Sequence, residues 1–308
     1  RLTAAQYLPY VEAFRPAEFE VHLRASRDAF VFGDSYQAEM RASYLFGGAM
    51  AGQKAAWRLR LDRASFTPPG FQGYAFGREL EWDEEIPERP ASRLVGSGDA
   101  VLDARGQAQV KLPLVAEKET DSVLATLEAT VQSPSRRSIS NRIQSYVHRA
   151  EFYAGLRPVT TFLKKGDPLA VDLIAASPAG ALLSDKKVSL KLIRREWRSV
   201  RKAGVGGRFS WLSEKTDTVV EDRSLTTGKD PVRAEFKPDK AGLYVLDAAG
   251  TDARGNPVAT STSVYVTGSD YVPWERSDDD ALEIVADREF YDPGATARLL
   301  IKSPYERA

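Results

Sequence analysis

The chain has 308 residues, and its 43 Lys and Arg residues balance 43 Asp and Glu residues, so the formal net charge at pH 7 is zero. Nucleic-acid binders need a basic excess for phosphate contacts, so this balance argues against that class. No segment approaches the roughly 18 uninterrupted apolar residues of a membrane span, which argues against membrane insertion. The length allows two ordinary domains and part of a third.

Cysteine is absent, and His22 and His148 are the only histidines. Without cysteine, the chain has no disulfide, no thiolate nucleophile or metal ligand, and no thioester of its own. Neither histidine belongs to a recognisable hydrolase pattern, and no Gly-x-Ser-x-Gly motif occurs. We therefore predict that the chain is not an enzyme, that it holds no cofactor or metal, and that both histidines lie at the surface or at a domain junction.

Two acidic runs and one glycine-rich run are weak candidate sites. Carboxylates at Asp83–Glu85 and Asp278–Asp280 are of the type that binds Ca²⁺, but neighbours in an extended chain point apart. We predict that both runs are solvated charge. Gly204–Gly207 is not followed by Lys-Ser/Thr, so a hairpin loop is expected there instead of a phosphate-binding loop.

Apolar and polar residues alternate with a period of two through most of the chain. Examples are the strand-like runs at 38–44, 57–61, 125–131, 169–173, 188–192 and 258–266. Such runs, separated by turn residues every 8–12 positions or so, predict antiparallel sheets with one buried face. The predicted fold is all-β, built of tandem antiparallel β-sandwiches of the fibronectin or immunoglobulin type. The only helix-like stretch is Ala4–Phe14, whose pattern fits the last strand of an upstream domain equally well.

An internal repeat supplies the domain organisation. An aromatic residue, a tight glycine turn and an alternating strand recur at Phe30–Gly33, Phe162–Gly166 and Phe290–Gly294. A turn of this kind needs a positive φ, which glycine adopts at low cost. Each copy is predicted to be the opening hairpin of a β-domain.

The repeat predicts four segments. Residues 1–18 end an upstream domain and its linker, and 19–149 form a first sandwich that carries an insertion at 66–93. Residues 150–268 form a second sandwich, and 269–308 hold a linker and the truncated start of a third. Arg1 is not an initiator Met and no apolar signal region follows it, so we expect an excised fragment.

The insertion is the best candidate contact surface, because Phe71, Tyr74, Phe76 and Trp82 concentrate aromatic rings there. Two interpretations remain open. Exposed rings that face the same way would favour a binding platform, as in a tandem immunoglobulin-like adhesin or a carbohydrate-binding module. Rings that fold back over their own sandwich or over a neighbouring domain would favour a spacer.

The basic stretch Lys187–Lys202 has the charge to attract an anionic partner, but the apolar alternation at Val188, Leu190 and Leu192 predicts a strand first. We predict that a polar excursion at 194–230 follows as an exposed loop, and that Arg198, Arg201 and Lys202 make it sensitive to trypsin-like proteases.

Four motifs in this order resemble the bacterial alpha-2-macroglobulins. Phe14–Phe19 resembles the junction between two of their macroglobulin-like domains, and Phe30–Gly52 resembles the opening of the next domain. Pro68–Gly77 is similar to the insertion of large bacterial members, and Phe290–Ser303 resembles the start of a later domain. Ala49 and Met50 depart from the pattern, which usually has Pro-Val there.

The resemblance implies a role in protease inhibition. In this family a protease cleaves an exposed bait segment, and the inhibitor rearranges and captures it, in many members through a Cys-Gln thioester. This chain has no cysteine, so the resemblance implies a non-catalytic part of the rigid stack of domains. The expected partners are target proteases, through the parent protein, and neighbouring domains. The expected location is the periplasm, with the parent lipid-anchored to the inner membrane in some cases.

Overall fold

The computed structural model describes residues 17–78, 92–117, 119–203, 209–268, 283–287 and 291–302. Within these ranges the secondary structure consists of β-strands and turns. The helix-like stretch Ala4–Phe14, both acidic runs and Trp82 lie outside them.

The first sandwich contains eight strands. They are β1 (Phe19–Ala25), β2 (Ala29–Val31), β3 (Ser35–Tyr44), β4 (Lys54–Arg63), β5 (Ser92–Val101), β6 (Gln107–Pro113), β7 (Val123–Gln132) and β8 (Ser138–His148). One sheet has the order β1-β3-β6, and the other has the order β2-β8-β7-β4-β5. All neighbours are antiparallel except the short β2, which runs parallel to β8.

The second sandwich repeats this topology strand for strand. Its strands are β9 (Tyr153–Pro158), β10 (Phe162–Lys164), β11 (Leu169–Ala176), β12 (Lys187–Ala203), β13 (Phe209–Thr226), β14 (Val232–Phe236), β15 (Gly242–Thr251) and β16 (Pro257–Thr267). The sheet orders are β14-β11-β9 and β10-β16-β15-β12-β13, again with β10 parallel to β16. The prediction of tandem, mainly antiparallel β-sandwiches is confirmed.

Each sandwich has its own apolar core, formed by the inward positions of alternating strands. In the first, Tyr36, Met40 and Leu127 are completely buried, and in the second, Leu190 and Tyr244 are. Burying a side chain of this size contributes about 1.5–3 kcal/mol relative to leaving it in water. The period-two pattern is therefore what selects the two-layered fold.

The three copies of the glycine turn have the same conformation. Gly33, Gly166 and Gly294 have φ values of +96°, +87° and +88°. In each copy the N–H of the next residue donates to the carbonyl three positions before it, at 2.9–3.0 Å. The third turn lies between β17 (Glu283–Ala286) and β18 (Leu299–Lys302), which pair as β1 pairs with β3 and β9 with β11.

The structure corrects the expectation of a polar loop at 194–230. β12 continues to Ala203, and β13 begins at Phe209, so Arg198, Arg201 and Lys202 lie in a strand of a long hairpin. No period-two signal marks this part of the hairpin, because residues 214–220 of β13 are exposed one after another and offer no alternating buried positions.

Candidate functional site: the junction between the two sandwiches

The insertion of the first sandwich binds directly to the backbone of the second. Ala75 and Leu156 exchange two backbone hydrogen bonds, at 2.7 and 3.1 Å, so the insertion adds a short bridge to the free edge of β9. Beside it, Ser261 N–H donates to the Gly77 carbonyl at 3.0 Å. Gly77 N–H donates to Thr260 Oγ1 at 3.2 Å. Backbone pairing of this kind fixes both the distance and the register of the two domains.

Tyr74 contacts an ion cluster on the second sandwich. The Arg157 guanidinium lies 4.5 Å from the centre of the Tyr74 ring, within the range of a cation–π contact. Arg157 also pairs with the buried Asp172 at 3.0 Å, and Arg233 pairs with the same carboxylate at 2.9 Å. The hydrogen bond from Arg233, then that from Arg157, holds the pKa of Asp172 below its ordinary value despite burial, which raises it. The guanidinium that Tyr74 contacts is therefore paired with a carboxylate that stays ionised at neutral pH.

Phe76 approaches β9 at a position where only a glycine fits. A Cβ atom on Gly155 would lie 2.8 Å from Phe76 ring carbon and 2.8 Å from Ile174, closer than real Cβ contacts. The Phe76 ring also meets the edge of Tyr153, with centroids 6.3 Å apart. The close approach of ring and backbone is therefore specific to this pairing of insertion and strand.

Phe66 packs against both sandwiches at once. Its ring lies 4.6 Å from His148 and 5.1 Å from Tyr146, which belong to the first sandwich, and 5.2 Å from Tyr153 of the second. Aromatic pairs at these distances stabilise by about 0.5–1.5 kcal/mol beyond the area that they bury.

A buried polar cluster lies under this ring. Tyr153 Oη is 2.6 Å from His148 Nδ1 and 2.5 Å from Ser122 Oγ, and Ser122 Oγ accepts a hydrogen bond from Arg149 N–H at 3.1 Å. Burial lowers the pKa of His148 to about 4 and raises the pKa of the Tyr153 phenol. At neutral pH the imidazole is therefore uncharged, and its Nδ1 can accept the phenol proton while Ser122 donates to Tyr153. Because Tyr153 stands between Ser122 and His148, the arrangement is a buried hydrogen-bond network and not a nucleophile–base pair.

On the surface, ion pairs join turns of the two sandwiches. Arg254, in the turn between β15 and β16, donates to Asp34 at 2.7 Å and to Glu151 at 2.8 Å. Burial raises the pKa of Asp34, but hydrogen bonds from Val31 N–H and from Arg254 outweigh it, so the pKa lies below its ordinary value. The carboxylate is ionised at neutral pH and is available to the guanidinium.

The Arg254 turn is itself held by Asp252. The Asp252 carboxylate accepts from the N–H groups of Glu151, Arg254 and Asn256, at 2.8–3.0 Å. Asn256 Nδ2 also donates to the carbonyl of Phe32 in the first sandwich at 3.2 Å. The turn is thus preorganised for its contacts with the first sandwich.

A groove of about 480 Å³ opens beside the junction, lined in part by Phe66, Phe76, Tyr153 and Glu119. Arg93 holds Glu119 at 2.7 Å. Burial raises the pKa of Glu119, but hydrogen bonds from the Glu117 N–H and from Arg93 keep it below its usual value. Glu119 is therefore an ionised, paired carboxylate, which does not suit a general acid.

The sequence-predicted site residues fall in two places. Phe71, Tyr74 and Phe76 are half-buried, and the rings of Tyr74 and Phe76 contact the second sandwich. Trp82 lies outside the described residues.

The other predicted residues lie elsewhere. Arg198, Arg201 and Lys202 lie in β12, in a strand instead of the expected loop. His148 is buried at the junction and His22 is exposed, 3.2 Å from Glu20.

Sequence reasoning missed the polar half of the junction. Ser122, Tyr153, Asp34 and Arg254 had no distinguishing pattern, although Arg254 lies in a turn of sequence Asp-Ala-Arg-Gly-Asn that repeats the Asp-Ala-Arg-Gly of residues 103–106. Their partners are far away in the chain, and only folding brings them together.

Within the described ranges, no group of three or more His, Cys, Asp or Glu residues is placed to hold a metal ion. The same residues contain no helix long and apolar enough to cross a membrane.

Two family models match the chain, one to each sandwich. The model of the bacterial alpha-2-macroglobulin MG5 domain matches residues 18–148, and the model of bacterial macroglobulin domain 6 matches residues 155–268. A curated alpha-2-macroglobulin homolog from Nostoc sp. is 26% identical over 299 residues, which cover 97% of this chain and 15% of the relative. The chain thus spans less than a fifth of that relative's length.

Solved structures show the same fold. The native conformation of Escherichia coli alpha-2-macroglobulin aligns with a TM-score of 0.56 and 17% identity, over 95% of this chain and 19% of that one. Salmonella alpha-2-macroglobulin reacted with methylamine aligns with a TM-score of 0.56 and 18% identity, over the same shares. The two family models together cover most of the chain, one on each repeat of the sandwich. The chain therefore belongs to the bacterial alpha-2-macroglobulin family.

Proposed function

We propose that the chain is a non-catalytic structural segment of a bacterial alpha-2-macroglobulin-like protease inhibitor, and that its two sandwiches form one rigid piece of a longer stack of domains. The main support for the proposal is the set of hydrogen bonds that Ala75 and Gly77, in the insertion of the first sandwich, form with Leu156, Thr260 and Ser261 of the second. Independent domain motion would require these hydrogen bonds to break.

Two further sets of contacts support the same conclusion. Tyr153 of the second sandwich forms buried hydrogen bonds with Ser122 and His148 of the first. At the surface, Arg254 of the second sandwich pairs with Asp34 of the first. These contacts come from separate elements, so a rotation that spares one of them strains another. A stack joined in this way passes movement along as rigid-body rotation, which is how a cleavage elsewhere in the inhibitor would reach distant domains.

Target proteases are the proposed partners of the full-length protein, and neighbouring domains are those of this segment. Escherichia coli relatives have been solved after activation by porcine elastase and by trypsin. We further propose a periplasmic location, with lipid anchoring of the parent to the inner membrane, and a role in bacterial defence. Cell fractionation with an antibody against this chain tests the location.

The alternative function, an adhesin or carbohydrate-binding module, requires exposed aromatic rings that face the same way. The rings of Phe71 and Tyr74 pack edge to face, with centroids 6.0 Å apart, so they do not face the same way. The Arg157 guanidinium also packs on the Tyr74 ring. Tyr74 and Phe76 contact the second sandwich, and Phe71 packs against Tyr74, so the spacer interpretation of the insertion is favoured.

The rigid-piece proposal is tested by NMR relaxation and small-angle scattering on the 308-residue chain. We expect one rotational correlation time for both sandwiches. Phe76→Ala keeps the backbone hydrogen bonds of Ala75 and Gly77 but removes the ring that packs on β9, so it should increase the motion between the two sandwiches. Phe46→Ala, which removes an 84% exposed ring of the first sandwich, should not. Independent tumbling of the unaltered chain would contradict the proposal.

The inhibitor proposal is tested with the full-length protein and trypsin. A captured protease keeps its active site but loses access to large substrates, so cleavage of a large protein should fall while cleavage of a small peptide persists. The 308-residue chain alone should protect neither substrate. Inhibition by this chain alone, or unimpeded cleavage of the large protein by trypsin mixed with the full-length protein, would show that the assignment is wrong.

A further inference from the structure

The hairpin of β12 and β13 extends far beyond its own sheet. β12 pairs with β15 only from Val188 to Arg195, but it continues to pair with β13 from Glu196 to Ala203, opposite residues 216 to 209. At about 3.3 Å per residue, these eight pairs form a two-stranded projection roughly 26 Å long. We call residues 196–203 and 209–216 the β-ribbon.

The β-ribbon leaves the second sandwich at the end where the third unit begins. Arg195 lies opposite Leu243 at the start of β15, and Gly242 lies opposite Val266 near the end of β16. From β16 the chain continues towards β17. At the same end of the sandwich, Thr161 Oγ1 donates to the carbonyl of Ala286 in β17 at 2.5 Å.

The β-ribbon also has a topological counterpart whose role the structure shows. In the first sandwich, the connection between β4 and β5 leaves the sheet at Arg63, opposite Val123 at the start of β7, and carries the insertion that binds the following sandwich. Because β12 and β13 correspond to β4 and β5 in the strand order, their hairpin occupies the same place in the second sandwich.

We propose that the β-ribbon binds the domain that begins with β17, and fixes the second junction as the insertion at 66–78 fixes the first. The insertion pairs with the edge of β9, and the strand that corresponds to β9 in the third unit is β17. This inference rests on the repeated topology and does not depend on protease capture.

Charge in the sequence favours this partner. The β-ribbon has four basic residues, Arg198, Arg201, Lys202 and Lys215, against two carboxylates, Glu196 and Glu214. Residues 269–283, which lead to and begin β17, have six carboxylates against one basic residue, Arg276. Opposite charges steer the two segments together and oppose wrong pairings.

A second copy of this chain is the competing partner, since β13 lies at the edge of its sheet and a free edge invites pairing between chains. That edge, however, exposes charged residues such as Glu214 and Asp222, and natural proteins use such charges to prevent edge-to-edge association.

The first test shortens the β-ribbon in the full-length protein. Residues 197–215 are replaced by Asn-Gly, which joins Glu196 to its partner Thr216 in a tight hairpin turn and leaves all pairing with β15 in place. We expect amide exchange in β17 and β18 to become about tenfold faster or more, because their backbone groups lose a protecting contact. Unchanged exchange in β11 and β14 serves as the control that the second sandwich still folds.

The second test uses the 308-residue chain, whose lack of cysteine makes introduced thiols unique. A short bismaleimide should join Arg198→Cys to Glu283→Cys within one chain, and should not join Arg198→Cys to the control Arg58→Cys in the first sandwich. The proposal requires both results. Unchanged exchange in β17, no intrachain cross-link, or a cross-link only between two chains would each overturn it, and the last would identify a second copy as the partner.

Discussion

Arg254 donates to Asp34 at 2.7 Å across 220 residues of chain, so a turn of the second sandwich is tied to the repeated glycine turn of the first. The same guanidinium reaches Glu151 at the covalent link between the sandwiches. One side chain therefore connects both domains and the segment that joins them.

We expect a modest coupling free energy between Asp34 and Arg254, about 0.5–1 kcal/mol, because the arginine side chain is 40% exposed and solvent screens the pair. A double-mutant cycle with Asp34→Asn and Arg254→Gln, followed by urea unfolding, measures it. The coupling should fall as salt increases.

The control is the pair Arg58 and Glu128, which lie 2.8 Å apart within the first sandwich. Breaking the Asp34–Arg254 pair should lower the coupling free energy between the two sandwiches by about 0.5–1 kcal/mol, whereas breaking the control pair should leave that coupling unchanged. Equal effects of both pairs on domain coupling would show that Arg254 has no special role at the junction.

Gly155→Ala should destabilise the junction by about 1–3 kcal/mol, because the added methyl group would lie 2.8 Å from both Phe76 and Ile174. Thermal unfolding followed by calorimetry checks this. The matched control is Gly73→Ala in the insertion itself, where a Cβ would meet only Arg157, at 3.8 Å. If the two variants unfold alike, the close approach of Phe76 to β9 is not a constraint.

The free energy of unfolding should begin to fall below about pH 6.5, before the carboxylates titrate, because buried His148 resists protonation in the folded state. Its pKa in the folded state is about 4, below the ordinary 6.5, so the unfolded chain binds this proton first as the pH falls. The contribution is complete above about pH 6.5 and is lost progressively as the pH falls towards 4. A shift of this size corresponds to roughly 3 kcal/mol.

Unfolding by urea at several pH values measures this dependence. His148→Phe should remove most of the slope between pH 6.5 and 4, while His22→Gln, which replaces an exposed histidine, should retain it. Asp34 and Asp172 have pKa values lowered below 3.8, so their contributions are lost only at lower pH. A slope that survives in His148→Phe would assign the acid sensitivity to another group.

Brief treatment of the 308-residue chain with trypsin should first cut at Arg198, Arg201 or Lys202. A two-stranded ribbon without a third strand is only marginally stable, so it opens more often than the sheet at Lys187 and Lys191. Mass spectrometry of the early fragments identifies the site, and replacing the three basic residues with Gln should delay the first cut. Early cleavage at Lys191 in the unaltered chain would contradict this order.

The alternating pattern could be read from the sequence because it has a local cause. Each strand must present one face to a core, so residues such as Met40 and Leu190 recur at every second position. The positive φ at Gly33 and Gly166 is likewise a property of the turn itself, and the fold class and the repeat followed from such signals.

No local sequence pattern indicated where the insertion packs or how far the β12–β13 hairpin extends. The rings of Tyr74 and Phe76 stand in a segment without periodicity, so nothing local distinguishes a ring exposed to solvent from one covered by Arg157 or Gly155. The extension of β12 past Arg195 has neighbours on one side only, and polar residues in such a strand resemble those of a loop.

The sequence by itself thus determined two copies of one sandwich and the glycine turns that open them, because burial and backbone conformation act on residues close together in the chain. Only the tertiary structure decided how the copies are joined. Tyr153 meets Ser122, and Arg254 meets Asp34, through contacts between distant segments, whose energies depend on where folding brings the partners and not on either local pattern.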